Sequence, residues 1–287
     1  MQLTASALPG LTGQLRIWLN GRLYHDPQQA TVAGMDHGLI VGDGVFETLK
    51  VTERGAFAVR RHLNRLSRSA AALQLPAPDH IQISEAIESV LDGRGFPLGK
   101  LRITYTGGRG PLGSEAAYGP PTLIAALAPV AAAPPLASIV TAPWTRNEHG
   151  ALAGVKSVSY AENVRALRYA GSHNATEAIF LNTAGHLCEG TGSNIFFVFA
   201  GTVLTPPLSS GPLAGITREL IMEWNSVEEC DLTLDEAKRA DEVFITSSMR
   251  DVQGVERWDD RVFSPARPVT KTYAATFAKR SSAHLDP

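Results

Sequence analysis

The sequence predicts an α+β protein built as two domains. Three observations lead there. Short strand-like runs recur through both halves of the chain, helical periodicity is confined to a few segments between them, and a stiff Pro/Ala segment at 129–135 separates the halves. The length of 287 residues suits one large domain or two modest ones. With 44% hydrophobic and 19% charged residues, the composition is globular and excludes disordered and fibrous classes.

The elements follow in order. Residues 1–14 carry Pro, Gly and Ser without a cationic stretch, and read as a mobile arm rather than a signal peptide. Ile17-Trp18-Leu19 and Arg22-Leu23-Tyr24 flank Asn20-Gly21, a pair that tolerates positive φ at both positions and so predicts a tight hairpin. Residues 45–51 read as a strand after the glycine-rich run 38–44, and residues 57–59 as a pairing partner for it. Leu63, Leu66, Ala70 and Leu73 share one face of a helix over 62–73, and Ile83, Ile87 and Leu91 mark a second helix. Residues 101–105 and 122–127 complete an antiparallel sheet, giving a small domain over 15–128. After the linker, strands are expected at 138–142, 178–181, 195–199, 203–204 and 243–246. Helices are expected at 160–170, with Val164 and Leu167 on one face, and at 217–224. The second domain, 136–287, is therefore β-rich.

A formal net charge of −2 argues against a nucleic-acid partner. No apolar run is long enough for a membrane helix, and two cysteines cannot build a disulfide framework, so a soluble cytoplasmic protein is expected. The eight histidines show no HExxH-type pairing and no metal site is expected. A Walker loop, a dinucleotide fingerprint and a Gly-x-Ser-x-Gly elbow are all missing.

Three segments of the second half carry chemistry when taken together. Lys156 lies among small and apolar residues, where desolvation disfavours the charged amine and favours Schiff-base chemistry. Taken alone, the segment better suits a lysine reaching into water from a strand end. Glu189 stands at a glycine-rich turn, with Ser193 and Asn194, before a very apolar strand. By itself this is an ordinary hairpin with a surface carboxylate. Gly215, Ile216 and Thr217 open a helix whose free N–H groups make an anion site, though simple capping would explain Thr217. A lysine, a carboxylate and a helix N-terminus are the three contacts that pyridoxal phosphate requires.

On these residues the chain resembles the fold type IV pyridoxal-phosphate enzymes. That family comprises branched-chain aminotransferases, D-amino acid aminotransferases, (R)-amine transaminases and 4-amino-4-deoxychorismate lyases. The resemblance runs from about Ile17 to about Val255. It is carried by Asn20-Gly21, Gly42-Asp-Gly-Val-Phe-Glu47, His62-Leu-x-Arg65-Leu, Lys156 with Tyr160-x-Glu-Asn, Glu189-Gly-x-x-x-Asn194, Thr205-Pro-Pro, Gly215-Ile-Thr-Arg218 and Asp241-Glu-Val-Phe244. It implies two α+β domains, a pyridoxal 5'-phosphate at their interface and a homodimer. It further implies that Lys156 binds the cofactor and shuttles the proton, and that Glu189 pairs with the pyridine nitrogen. Arg65, Ile216, Thr217 and Ser248 would bind the phosphate. Tyr160 would lie near the phenolic oxygen and Glu47 near Lys156, unless both only support the site.

The reaction is less sharply drawn. The strand around Glu47 resembles that of D-amino acid aminotransferases, which trap the substrate carboxylate with a tyrosine and an Arg-x-His pair. Here Phe46 has no hydroxyl, and the loop 106–113 has Arg109 but no histidine two residues on. Arg109, Arg146 and Arg250, the last following Met249, are candidates for a rebuilt trap. The expected reaction moves an amino group between a D-amino acid or (R)-amine and a 2-oxo acid. The alternatives are aminodeoxychorismate lysis to pyruvate and 4-aminobenzoate, a branched-chain L-amino acid aminotransferase, and a non-catalytic binding protein.

Overall fold

The computed structural model describes residues 15–92 and 97–287, so the expected arm at 1–14 lies outside the described residues. The chain divides into two compact units. The first runs to Ala131 and also takes in Lys156–Ser159 and Asp286; the second comprises Ala132–Val155, Tyr160–Leu285 and Pro287.

The first unit opens with β1 (Arg16–Leu19) and β2 (Arg22–Tyr24), which pair antiparallel around Asn20-Gly21. Both turn residues have positive φ, 46° and 93°, as the hairpin demands. A short helix α1 (His37–Ile40), capped by Asp36, precedes the long strand β3 (Gly44–Thr52). The pairing expected at 57–59 falls instead on β4 (Gly55–Ala56). Ala58 takes a left-handed conformation that turns the chain into helix α2 (Val59–Ala72). Helix α3 (His80–Leu91) and strands β5 (Gly99–Thr106) and β6 (Thr122–Pro129) follow. The strands form one antiparallel sheet in the order β2-β1-β6-β5-β3-β4. Leu63, Leu66 and Ala70 of α2 are buried where it packs on β3, and Ile83, Ala86, Ile87 and Val90 of α3 are buried where it packs on β1 and β6.

The second unit is a nine-stranded sheet. In chain order its elements are β7 (Leu136–Arg146), α4 (Ala161–Ser172), β8 (Glu177–Asn182), β9 (Leu187–Gly190), β10 (Asn194–Phe199), β11 (Thr202–Thr205), α5 (Ile216–Trp224), β12 (Glu228–Glu229), α6 (Leu234–Ala237), β13 (Glu242–Ser247), β14 (Asp251–Trp258), β15 (Arg261–Val262) and α7 (Pro268–Ala283). The order β12-β11-β10-β13-β14-β7-β8-β9 contains parallel pairs at β14–β7 and β7–β8, the second reached through α4. Ile139, Ile179, Phe197, Ile245 and the fully buried Trp258 form its core. Val164 and Leu167 share one face of α4, and that face is the outer one, the two residues being 44% and 48% exposed. The helix buries Asn163, Ala166 and Ala170 instead, because alanines bring it close to β7 and β8. Helix α7 has no counterpart among the expected elements; it buries only Thr270, Tyr273 and Phe277, too sparse a stripe to read from sequence. Among the described residues no helix is long and apolar enough to cross a membrane.

Candidate active site

In the first unit, the segment Lys156–Ser159 runs beside the start of β3. Phe46 N donates to Lys156 O (3.0 Å) and Val158 N donates to Gly44 O (2.8 Å). Lys156 N donates to Ser69 Oγ of α2 (3.3 Å). These bonds hold the half-buried Lys156 with its Nζ 4.3 Å from the centre of the Phe46 ring.

Alternation along β3 sends Phe46 to one face and Glu47 to the other. Glu47 is fully buried. It accepts from Arg65 Nε (2.8 Å) and Nη2 (2.6 Å), and from His62 Nδ1 (2.7 Å). His62, Arg65 and Ser69 recur at helical spacing on α2, so one face presents all three. Burial alone would raise the Glu47 pKa, but Arg65 and His62 bring it down to about 2. Burial lowers the His62 pKa despite Glu47, so the imidazole is neutral and its contact is a hydrogen bond from Nδ1–H rather than an ion pair.

The face that bears Phe46 holds a residue the sequence reading missed. Arg102 of β5 stands opposite Thr48 in the ladder, which places it on the Phe46 face. Its guanidinium carbon lies 3.7 Å from the centre of the Phe46 ring, a cation–π contact. The strand 101–105 was legible, but its register against β3 was not.

In the second unit, Glu189 lies in β9, next to its last residue, and its Oε2 accepts from Leu213 N (2.9 Å). Arg146 Nη2 lies 3.8 Å from Glu189 Oε1. Arg146 also donates to Asn163 Oδ1 (3.2 Å) and stacks on Phe180. Tyr160 precedes α4, and its hydroxyl donates to Thr191 O (3.2 Å) in the turn after Glu189. The buried Asn194 donates from Nδ2 to Leu213 O (2.9 Å), tying the same turn to the segment before α5.

Gly215 precedes α5, and no side chain caps the helix. The first-turn N–H groups of Ile216 and Thr217 have no carbonyl four residues back within the helix, and both residues are buried. A Cβ at 215 would lie 2.0 Å from Asn194 Oδ1, so only glycine permits this approach. An uncapped N-terminus on a nine-residue helix, with a threonine in its first turn, fits a phosphate. Ser248 and Met249 lie half-buried in the turn between β13 and β14.

The three arginines expected as carboxylate anchors meet different environments. Arg109 is exposed, and its carbonyl accepts from Tyr118 N and Gly119 N (both 3.0 Å), closing its loop. Arg146 is committed to Glu189 and Asn163, as above. Arg250 turns inward: Nη2 donates to Thr176 O (3.0 Å), Nη1 to Gln253 Oε1, and Glu177 Oε2 is 3.8 Å away. Arg146 and Arg250 thus serve their own unit's carboxylates.

Comparison with known proteins adds a family to this geometry. The family model for amino-transferase class IV matches residues 44–258. A "Putative branched-chain-amino-acid aminotransferase" of Methanocaldococcus jannaschii is 34% identical over 87% of this chain and 90% of its own length. A D-alanine aminotransferase of Staphylococcus haemolyticus is 28% identical over 92% of this chain and 97% of its own. An aminodeoxychorismate lyase of Bacillus subtilis is 29% identical over 82% and 84%. Among solved structures, a hypothetical aminotransferase from Mycobacterium tuberculosis in its PLP-bound form superposes with a TM-score of 0.80. It is 26% identical, over 92% of this chain and 99% of that one.

Proposed function

The chain belongs to the class IV aminotransferases, a family of pyridoxal-phosphate enzymes, and on that premise we propose a transaminase acting between a D-amino acid or (R)-amine and a 2-oxo acid. The observation that carries this reading is the pair of cations at Phe46: Lys156 Nζ at 4.3 Å and the Arg102 guanidinium at 3.7 Å from its ring centre. An amine and a guanidinium at one aromatic wall suit a donor that carries both a reacting carbon and a carboxylate. They favour an amino acid over a plain amine.

When bound, pyridoxal 5'-phosphate supplies the electron sink for the donor's α-carbon. The protein's part falls to its side chains. The Lys156 amine would hold the cofactor and move the proton at the α-carbon. Glu189 would keep the ring nitrogen protonated, with Arg146 beside it and Leu213 N fixing one of its oxygens. Ile216 and Thr217, after Gly215, would take the phosphate with Ser248. Arg65 gives Nε and Nη2 to Glu47, so it would add its positive charge to the phosphate side while remaining the partner of that carboxylate. Tyr160, Ser193 and Asn194 would keep the Glu189 turn in place, while Phe46 and Met249 would be the residues on the substrate side.

A lyase is the second reading, favoured by the Bacillus subtilis relative. One panel separates the readings. Holoenzyme mixed with D-alanine, with L-leucine and with (R)-1-phenylethylamine should lose its visible cofactor band to the near-ultraviolet band of the amino form with D-alanine first. No loss with any donor, together with 4-aminobenzoate release from aminodeoxychorismate, selects the lyase. Loss with L-leucine alone selects the branched-chain activity of the archaeal relative's name. Lys156→Ala should remove the visible band altogether. A homodimer is part of the proposal, supported by the exposed apolar Leu39, Val41, Leu112 and Tyr118 on the first unit.

A further inference from the structure

We infer that Glu177 is a positioning residue for the cofactor end of the site, acting through the turn that follows Glu189. The inference rests on the pyridoxal-phosphate reading above. Glu177 opens β8 and is only 2% exposed. A carboxylate that deep must be met by donors, and its donors all converge from one turn and one strand end. Oε1 accepts from Thr191 N (2.9 Å), from Thr191 Oγ1 and from Ala178 N (3.1 Å). Oε2 accepts from Ser193 Oγ (3.0 Å) and faces Arg250 Nη2 at 3.8 Å.

The turn at 190–194 is shaped to receive this carboxylate. A Cβ at Gly190 would lie 2.3 Å from Ser193 Oγ and 3.0 Å from Glu177 Cδ, so the glycine leaves the space that the carboxylate fills. Thr191 N also donates to Ala178 O (3.1 Å), and Gly190 N to Ser193 O (2.7 Å). On its other side, Thr191 O accepts from the Tyr160 hydroxyl and from Asn163 Nδ2. Glu177 therefore grips from beneath the residue that anchors Tyr160 from above. Glu189 is the residue next to Gly190, so a turn that slackens moves its carboxylate directly.

Two consequences follow for residues expected to touch the cofactor or substrate. A hydroxyl has one proton to give, and Ser193 gives its proton to Glu177. Arg250 closes the same carboxylate from the turn between β13 and β14, which carries Ser248 and Met249. One buried charge thus links the turn bearing Glu189 with the turn bearing Ser248.

The test compares Glu177→Gln, Glu189→Gln and the double variant as holoenzymes. The readouts are the dissociation constant for pyridoxal 5'-phosphate and the pH midpoint of the bound cofactor's visible absorbance. Glutamine keeps the volume but exchanges an acceptor for a donor facing Ser193 and Arg250. Glu177→Gln should weaken cofactor binding by about tenfold, the scale seen when the support of a binding residue is lost. It should also move the pH midpoint in the same direction as Glu189→Gln. The double variant should move it no further, since both act through one group. A wild-type midpoint and affinity in Glu177→Gln, even with lowered thermal stability, overturns the inference; so does an additive double variant. In the apoprotein, amide exchange at Thr191 should quicken in Glu177→Gln. Unchanged exchange there overturns the clamp whether or not the cofactor binds. Failure of the wild-type protein to develop any visible band overturns the cofactor reading instead.

Discussion

Replacing Glu47 with glutamine tests the buried network of the first unit at its centre. Glu47 is fully buried and takes three hydrogen bonds, two from Arg65 and one from His62. Its pKa falls from 4.5 to about 2, because the guanidinium and the imidazole N–H outweigh the burial that would raise it. A difference of about 2.5 units at 1.36 kcal/mol per unit corresponds to roughly 3 kcal/mol of stability. The folded pKa lies below the unfolded one, so this contribution is complete above pH 4.5 and is lost as pH falls toward 2. Glutamine keeps the shape but leaves Arg65 buried without its counter-charge, a change that costs about 3–5 kcal/mol in buried pairs. Urea denaturation of the apoprotein at pH 7 should therefore show the variant about 3 kcal/mol less stable. His62, lowered from 6.5 by its burial, disfavours both folded proteins below that pH. The gap should hold above pH 4.5 and close as pH falls from there toward 2, where Glu47 itself takes up a proton. A gap under 1 kcal/mol at pH 7, or one that does not close in acid, refutes the reasoning.

Two further substitutions address the binding groups. Gly215→Ala places a methyl 2.0 Å from Asn194 Oδ1 and forces that side chain off Leu213 O. Cofactor titration should show affinity reduced by about tenfold or more, and an unchanged constant removes the α5 N-terminus from the site. Arg102→Leu removes the guanidinium over Phe46. Initial-rate kinetics should show KM for an amino-acid donor raised about 10–100-fold, as for loss of a charge-assisted hydrogen bond, with little change for an amine that lacks a carboxylate. Equal effects on both donors count against a carboxylate role.

Much of this molecule was legible because local chemistry dictates it. Asn20-Gly21 forces its hairpin, the apolar spacing of 62–73 forces α2, and Gly215-Ile216-Thr217 opens a helix as the sequence predicts. What escaped depends on register and on distant partners. Lys156 lies in the sequence of the second half, yet its backbone pairs with β3 and clusters with the first unit. Arg102 reads as one residue of an alternating strand until the β3–β5 ladder sets it on the Phe46 face. The buried side of α4 is the alanine side, because close approach to β7 and β8 outranks hydrophobicity there.

The arginines show most clearly why residue types alone could not assign the carboxylate anchor. Sequence supplies arginines and glutamates in quantity, and each arginine is a plausible anchor until its partner is known. The fold allots them. Arg65 goes to Glu47, Arg146 lies beside Glu189, Arg250 beside Glu177, and Arg218 pairs with Glu229. A guanidinium shielded from water and placed against a carboxylate of its own unit is costly to redirect, since removing it strands the opposing charge. Arg102 is exposed, stacks on the Phe46 ring and donates from Nε to Thr104 Oγ1. Which cation meets a substrate carboxylate is therefore a question about pairing and burial, and residue types alone do not pose it.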